Sequence, residues 1–352
     1  MPELGVYLQG QYDAGAGVVT LDRNARWEWQ TPVFLDSPRF GDKFEVNLAG
    51  AEVALGANLP TVGNAFNVDA SKTLSERVRV AIFPNTMRTS WDQATNNVNV
   101  VDGKATKQGA SVRLTLKNGT LDGGGRNVGA VMANRVGTVL ENLVVKGTRF
   151  ALSWHDYAEP NIIRGCHFQT AGGSAQVTDA FFVYQVAKGD GVLIEALKCD
   201  GAVGAASLRE CFGASLVGNI TGRVRLTRCA GIVVSAVHQE SGIYVSYAPN
   251  FEVINSDVLF LGGTFFPPRM AGRAIIEVLD DADGPLHSNV VLVSAGYRLP
   301  SDHATGKVGP FIDVRRRNEN TRVRVVDPTF KAAVSPGVWA ASEAPVMAGG
   351  FS

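Results

Sequence analysis

The residues best suited to chemistry form one short patch, Trp154, His155, Asp156 and Tyr157. An indole ring can stack on the apolar face of a sugar, while imidazole, carboxylate and phenol groups can hydrogen-bond its hydroxyls. An Asp beside a His can also act as a general acid or base. We therefore predict a glycan-binding patch here. The alternative is a surface turn in which Trp154 packs inward and His155 is solvated.

A catalytic hypothesis adds two acidic residues, Asp179 and Glu240, to His155 and Asp156. If Asp156 and Asp179 lie on neighbouring stacked strands, they are about 5 Å apart, which is one strand spacing. Carboxylates about 5–5.5 Å apart suit a retaining glycosidase, and wider pairs suit an inverting one. The alternative is that stacked strands bring many unrelated acids to such distances, and that Glu240 lies in a polar turn.

The sequence predicts neither a metal site nor a cofactor. Cys166, Cys199, Cys211 and Cys229 lack the CxxC spacing of a zinc site. The acidic run at residues 280–283 lacks the twelfth-position acid of a calcium loop. Three of the cysteines, all but Cys211, share a similar context after a strand-like run. We predict that they are buried free thiols in one inward-facing column of small residues.

The strands that would position these residues are predicted from a repeated sequence motif. Each copy is a β-rich run, a small or polar residue and a second apolar step. The period is 24 residues from Asn118 to Asn142 and 23 from Asn142 to Gly165. A period in the low twenties without intervening helices indicates a β-solenoid, whose coils stack because one coil cannot bury its own apolar face. The copies are Val112–Asp122, Val139–Gly147, Asn161–Phe168, Gly191–Asp200, Val224–Gly231 and Phe251–Val258.

Composition narrows the possible partners. The 352 residues are 45% hydrophobic and 19% charged, with 39 glycines and a formal net charge of zero. A neutral chain gives no electrostatic reason to expect nucleic acid or an anionic membrane as a partner. No apolar run reaches the roughly 18 residues of a membrane span, so we expect no membrane insertion. The first residues lack the pattern of a secretory signal peptide, so we do not expect ordinary export.

The coil sequences resemble a known superfamily. Gly17–Leu21, Pro32–Leu35 and Asn47–Leu55 are similar to the opening coils of pectate-lyase-like right-handed parallel β-helices. Leu116–Gly124 and Asn161–Phe168 are similar to its inner coils. The resemblance covers residues 15–295. The superfamily includes polysaccharide lyases, glycoside hydrolases, adhesins, and the tailspikes and minor tail proteins of bacteriophages.

The resemblance implies an all-β fold, a right-handed single-stranded parallel β-helix with a short N-terminal cap. We place the cap at residues 1–14, the β-helix at 15–295 and the last coils with a C-terminal tail at 296–352. Residues 61–110, rich in Asn, Thr and Asp, are expected to form an irregular insertion. A short helix over Glu3–Gln9 would cover the unpaired strand edges of the first coil.

The resemblance is strongest to phage tailspike and minor tail proteins. It implies a homotrimeric virion protein, assembled in the host cytoplasm, that contacts host surface polysaccharide and other tail proteins. The Asn-Thr-Asp, Gly-x-Asp-Asp, Gly-His-Gly and Arg-Ile-Lys patterns of polygalacturonase-type hydrolases are missing. The acidic Ca²⁺ cluster of pectate lyases is missing too, which favours binding over cleavage. The alternatives are an extracellular or tail-borne lyase or glycoside hydrolase, and a structural virion component that binds no sugar.

Overall fold

The structure is a computed structural model in which the chain divides into two compact units. The first comprises Met1–Gly172 and Val183–Asp190, and the second Gly173–Phe182 and Gly191–Ser352. No helix in the described part of the chain is long and apolar enough to cross a membrane. The structure describes residues 1–31, 33–35, 43–56, 61–62, 78–84, 88–92, 97–102, 113–134, 137–156, 161–170, 182–200, 204–240, 249–266, 274–279, 287–294, 296–297, 312–315, 321–326, 341–342 and 347–348.

One helix, several short strands and the long strands β10 and β11 make up the described first half of the chain. The elements are α1 (Leu4–Asp13), β1 (Val18–Thr20), β2 (Trp27–Trp29), β3 (Val33–Leu35), β4 (Lys43–Asn47), β5 (Glu52–Leu55), β6 (Thr61–Val62), β7 (Val78–Pro84), β8 (Arg88–Asp92), β9 (Asn97–Asp102), β10 (Arg113–Asn134), β11 (Thr138–Asp156), β12 (Asn161–Thr170) and β13 (Phe182–Ala187).

Helix α1 is tied to the first coils by one carboxylate. The Glu3 side chain caps the helix by accepting hydrogen bonds from the backbone N–H groups of Gly5 and Val6. The same carboxylate accepts from the N–H groups of Gln30 and Thr31, at 2.7 and 3.0 Å. The buried side chains of the helix include Leu4 and Leu8. The helix therefore continues four residues beyond the short segment that the sequence predicted.

Stacked parallel strands form the core of the first unit. Strand β10 pairs in parallel with β4 and β11, and β11 pairs in parallel with β12. The register aligns Val46, Leu116, Leu140 and Ile163 in one column, and all four are buried. Each coil thus covers the apolar face of the one before it. The predicted fold class, a right-handed parallel β-helix, is confirmed.

An asparagine ladder runs along one corner of these coils. The Asn118 Nδ2 donates to Asn47 Oδ1, and the Asn142 Nδ2 donates to Asn118 Oδ1, each at 3.2 Å. Asn118, Asn142 and the aligned Gly165 all have positive φ, between 50° and 59°. Asn and Gly tolerate this left-handed conformation better than other residues. The corner therefore requires the residue types that made the repeat visible in the sequence.

Residues 61–110, where we expected a long loop or small lateral hairpin around a strand at Val78–Phe83, contain strands β6 to β9. Strand β7 pairs in parallel with β3 and with β10, so it joins the coil stack. Strands β8 and β9 form an antiparallel pair, and β6 pairs antiparallel with β7.

The second unit repeats the same architecture with shorter strands. Two parallel stacks alternate along the chain, one through β14, β16, β18, β20, β23 and β26 and the other through β15, β17, β19, β22 and β25. The elements are β14 (Leu193–Asp200), β15 (Gly204–Arg209), β16 (Ser215–Thr221), β17 (Val224–Thr227), β18 (Ile232–Glu240), β19 (Phe251–Ile254), β20 (Asp257–Leu261), β21 (Thr264–Phe265), β22 (Ile276–Leu279), β23 (Asn289–Val293), β24 (Gly296–Tyr297), β25 (Ile312–Arg315), β26 (Arg322–Val326), β27 (Ala341–Ser342) and β28 (Met347–Ala348).

A buried hydroxyl ladder links the later coils. The backbone N–H of Cys229 donates to Ser256 Oγ, that of Ser256 to Ser288 Oγ, and that of Ser288 to Thr321 Oγ1, at 3.0–3.3 Å. The partners are 27, 32 and 33 residues apart in the chain. Earlier coils are shorter, with 22 residues separating Cys199 from Thr221. The drift in the sequence period thus reflects coils that lengthen toward the C-terminus.

All four cysteines are buried free thiols, as predicted. Burial raises the pKa of the Cys166 thiol to about 11. The prediction of one shared column is wrong for Cys199 and Cys229. Cys199 aligns with Thr221, whose hydroxyl accepts its N–H, whereas Cys229 belongs to the hydroxyl ladder. The two residues follow similar sequence patterns at different positions in the coil.

Candidate functional site

One position in each of four strands of the second unit carries a charged residue. Alternate side chains of a strand point to opposite faces, so a residue between two inward-facing neighbours lies on the outer face. The flanking apolar residues are buried in every case. The four triplets are Val224-Arg225-Leu226 in β17, Phe251-Glu252-Val253 in β19, Ile276-Glu277-Val278 in β22 and Ile312-Asp313-Val314 in β25.

The strand register places these residues in line. Arg225 pairs with Glu252, Glu252 with Glu277, and Glu277 with Asp313. Neighbouring strands lie about 4.8 Å apart, so the row extends roughly 14 Å along the stack. We call Arg225, Glu252, Glu277 and Asp313 the charged row.

Two guanidinium groups hold the second member of the row. The Arg225 Nε donates to Glu252 Oε2, and the Arg223 Nη1 lies 3.5 Å from Glu252 Oε1. Both guanidinium groups also lie over the Phe182 ring. The Cζ atom of Arg223 is 4.8 Å from the ring centroid, and that of Arg225 is 5.2 Å from it. The Phe182 ring packs against Gly204. A Cβ atom at residue 204 would lie only 2.3 Å from Phe182 Cδ1, so the ring needs a glycine there. We call Arg223, Arg225, Glu252 and Phe182 the arginine clamp.

The clamp is largely shielded from water. The side chains of Arg223, Arg225 and Glu252 are 4%, 23% and 11% exposed. Hydrogen bonds to an ionised carboxylate are shorter and stronger than those between neutral groups. The clamp therefore fixes the Glu252 carboxylate and leaves Arg225 as its most exposed charged member.

The other end of the row brings two carboxylates together. Glu277 is buried, and Asp313 is partly exposed. Carboxylate oxygens accept hydrogen bonds from hydroxyl groups, and a protonated carboxyl can donate one. Two adjacent carboxyl groups are also the usual equipment for breaking a glycosidic bond. The partly exposed members of the row, Arg225 and Asp313, can therefore contact hydroxyl groups of a ligand, whereas Glu252 and Glu277 are buried.

The residues predicted from sequence lie elsewhere. Trp154, His155 and Asp156 end β11, where His155 is in register with Ala133 of β10 and with Val186 of β13. Tyr157 lies outside the described residues.

Of the two added acids, the structure describes only Glu240, which belongs to a strand outside the charged row. Glu240 ends β18 in register with Thr221 of β16. Asp179 lies outside the described residues, so its proximity to Asp156 stays a prediction.

Sequence reasoning missed the charged row, although a signal was present. Arg225 and Glu252 both lie within the repeats already recognised, at the same place after the first apolar residue. Glu277 and Asp313 belong to coils whose longer connections hid the period. The same apolar-charged-apolar triplet also occurs in the other stack, as at Val323-Arg324-Val325, so the pattern gives a charged outer position but not its column.

Among the residues that the structure describes, no group of three or more His, Cys, Asp or Glu side chains could hold a metal ion.

Comparison with known proteins gives structural likeness alone. No protein-family model matches the chain, and no curated protein matches it by sequence. The A-module of the mannuronan C-5 epimerase AlgE6 of Azotobacter vinelandii is similar over 93% of this chain and 90% of its own, with 10% identity and a TM-score of 0.47. The enzymatically active domain of tailspike protein 2 of bacteriophage CBA120 is similar over 92% of this chain and 45% of its own, with 8% identity and a TM-score of 0.40. The AlgE4 A-module of A. vinelandii is similar over 93% and 91%, with 11% identity and a TM-score of 0.31.

Proposed function

We propose that this protein binds a polysaccharide along the charged row of its second unit. The observation that carries the proposal is the alignment of Arg225, Glu252, Glu277 and Asp313 on four successive coils. An extended polymer presents hydroxyl groups at regular intervals, and a straight row of fixed acceptors and donors suits such a ligand. The Glu252 carboxylate is already held by the arginine clamp, so less side-chain freedom is lost on binding.

We further propose that the polysaccharide is a host surface glycan and that the protein is a phage tail component, of the minor tail or tailspike type. Support comes from the resemblance of coils such as Leu116–Gly124 and Asn161–Phe168 to a superfamily that includes tail proteins, and from the missing hydrolase motifs. The homotrimer, the contacts with other tail proteins and the location in the virion belong to the same proposal. Light scattering coupled to gel filtration tests the trimer, for which a monomer mass is the contrary result.

A second candidate function is cleavage of the bound glycan. Glu277 and Asp313 are adjacent in register, which separates their backbones by about 4.8 Å. Catalytic carboxyl groups of retaining glycosidases are about 5–5.5 Å apart. Because stacking brings any two aligned acids to this spacing, loss of cleavage in the variants described below is needed to assign a catalytic role to Glu277 and Asp313.

Incubation with host polysaccharide separates the two functions. Purified protein is mixed with capsular and cell-wall polysaccharide, bound protein is quantified by co-sedimentation, and chain length is measured by gel filtration. We expect binding by the natural protein and a loss of at least tenfold in affinity for Asp313→Asn. Glu52→Gln, which removes an exposed carboxylate from the first unit, is the matched control and should bind normally.

The outcomes are distinct. Binding without shortening supports a receptor-binding protein, whereas shortening that Glu277→Gln or Asp313→Asn abolishes supports the depolymerase. Normal binding by a folded Asp313→Asn protein would refute the charged row as the glycan site.

A further inference from the structure

Two cysteines of the second unit stack on neighbouring coils. Cys211 and Cys229 are 18 residues apart in the chain. The flanking backbone holds them in register, because the Glu210 N–H donates to the Thr227 oxygen at 2.8 Å and the Ala230 N–H donates to the Cys211 oxygen at 3.1 Å. The two residues therefore occupy equivalent positions in successive coils.

Both side chains lie in the core. Cys211 is 0% exposed and Cys229 is 2% exposed. The neighbouring Cys211 thiol and burial both raise the pKa of the Cys229 thiol. The pair takes the place that Ser256 and Ser288 take further along the hydroxyl ladder.

The spacing of the coils is compatible with a covalent bond. Neighbouring parallel strands are about 4.8 Å apart. Cα atoms of disulfide-bonded cysteines are usually about 4.4–6.8 Å apart. No displacement of the coils is needed to bring Cys211 and Cys229 within this range.

We propose that Cys211 and Cys229 form a disulfide when the chain folds in an oxidising medium, closing one coil of the β-helix covalently. With glutathione disulfide as oxidant, one cysteine thiolate attacks a glutathione sulfur and releases one glutathione thiolate. The second cysteine thiolate then attacks the mixed disulfide and releases the other. The two cysteines lose two electrons and two protons, and one glutathione disulfide is reduced to two glutathiones.

The bond forms while the coil is open. Thiolates are the reacting species, and burial disfavours them, so the folded dithiol resists oxidants in solution. During folding both thiols are exposed, and coil closure brings them together. A reducing environment therefore yields the stable dithiol seen in the structure, and an oxidising one yields a closed coil.

The closed coil would include part of the proposed glycan site. Residues 211–229 contain β16 and β17, and β17 carries Arg225. Arg223 of the arginine clamp lies in the same coil. The disulfide itself does not depend on the proposed function, since it follows from the coil geometry alone.

Refolding under two redox conditions tests the proposal. The full chain is unfolded in urea with dithiothreitol and refolded either in a glutathione redox buffer or with dithiothreitol retained. In the glutathione buffer we expect a product that lacks two hydrogen atoms by intact mass, with the peptides of Cys211 and Cys229 linked in a digest. This product should unfold at a higher urea concentration than the reduced one.

Single substitutions supply the controls. Cys211→Ser and Cys229→Ser should abolish the linked species, whereas Cys166→Ser and Cys199→Ser should keep it. Four free thiols in the wild-type protein after oxidative refolding, or a bond between another pair, would overturn the proposal. The wild-type digest decides the matter even if a serine variant fails to fold.

Discussion

Replacing Glu252 by Gln should destabilise the second unit strongly, because it removes the carboxylate from the arginine clamp. Arg223, only 4% exposed, would be left with a buried positive charge and no carboxylate in the clamp. Removing one partner of a buried ion pair costs about 3–5 kcal/mol. Arg225 is 23% exposed and can regain some hydration. We therefore expect the lower end of that range, about 3 kcal/mol.

The assay is urea unfolding followed by far-ultraviolet circular dichroism. Its matched control is Glu52→Gln, whose partner Lys146 is 35% exposed while Glu52 itself is 60% exposed. An exposed ion pair contributes about 0–1 kcal/mol, so the control should lose less than about 1 kcal/mol. Equal losses for Glu252→Gln and Glu52→Gln would refute the reasoning, because the clamp would then behave as a solvated surface pair.

Further substitutions in α1, at the asparagine ladder and at Cys166 test the fold. Gly5→Ala puts a methyl carbon 1.9 Å from the Thr31 carbonyl oxygen and should cost about 1–3 kcal/mol. Gly10→Ala is the control: a Cβ there meets open space, so the substitution should be neutral or stabilising by up to about 1 kcal/mol. Equal melting temperatures for the Gly5→Ala and Gly10→Ala proteins would contradict the docking of α1. Asn118→Ala loses two ladder hydrogen bonds and forces Ala into positive φ, for a loss of about 2–3 kcal/mol. Asn118→Gly should lose less in the same denaturant titration, and a larger loss for Gly would reverse the explanation. The pKa of the Cys166 thiol is about 11 in the folded state against an ordinary 9.0, so the unfolded chain deprotonates first and the free energy of unfolding should fall between pH 9 and pH 11. Cys166→Ala should flatten that fall, and an unchanged slope would argue against burial as its cause.

The fold could be predicted from sequence because Asn118, Asn142 and Gly165 repeat at one corner of the early coils, whereas other corners with positive φ hold residues such as Ala196 and Arg228. Asn118 and Asn142 repeat because a left-handed corner and an amide ladder both favour Asn. The assignment of the cysteines failed for a related reason. Cys199 and Cys229 follow similar short sequence patterns, but only backbone register shows that they occupy different columns. A local sequence pattern predicts that a strand is present. The column of stacked residues that each strand residue joins depends on the length of every preceding coil.

The same dependence hid the charged row. Glu277 and Asp313 are each a single charged residue in a strand, which is a common pattern. The connection from β19 to β22 also differs in length from that between β22 and β25. Their alignment arises from pairing between β19, β22 and β25, which is a long-range property of the chain. The patch at Trp154–Tyr157 was conspicuous because its residues are adjacent in sequence, and its role as a glycan site stays a prediction.

The hydrogen bonds of the hydroxyl ladder all point the same way along the β-helix. Each N–H in the ladder belongs to one coil and each accepting oxygen to the next coil toward the C-terminus, as with Cys229 and Ser256 or Ser288 and Thr321. A growing chain therefore leaves its newest coil with a buried donor that only later residues can satisfy. A chain shortened just after Ser256 would lose the Ser288 acceptor, and the Ser256 N–H would then depend on water at the open end of the stack. Each added coil therefore replaces a hydrogen bond to water with one inside the protein.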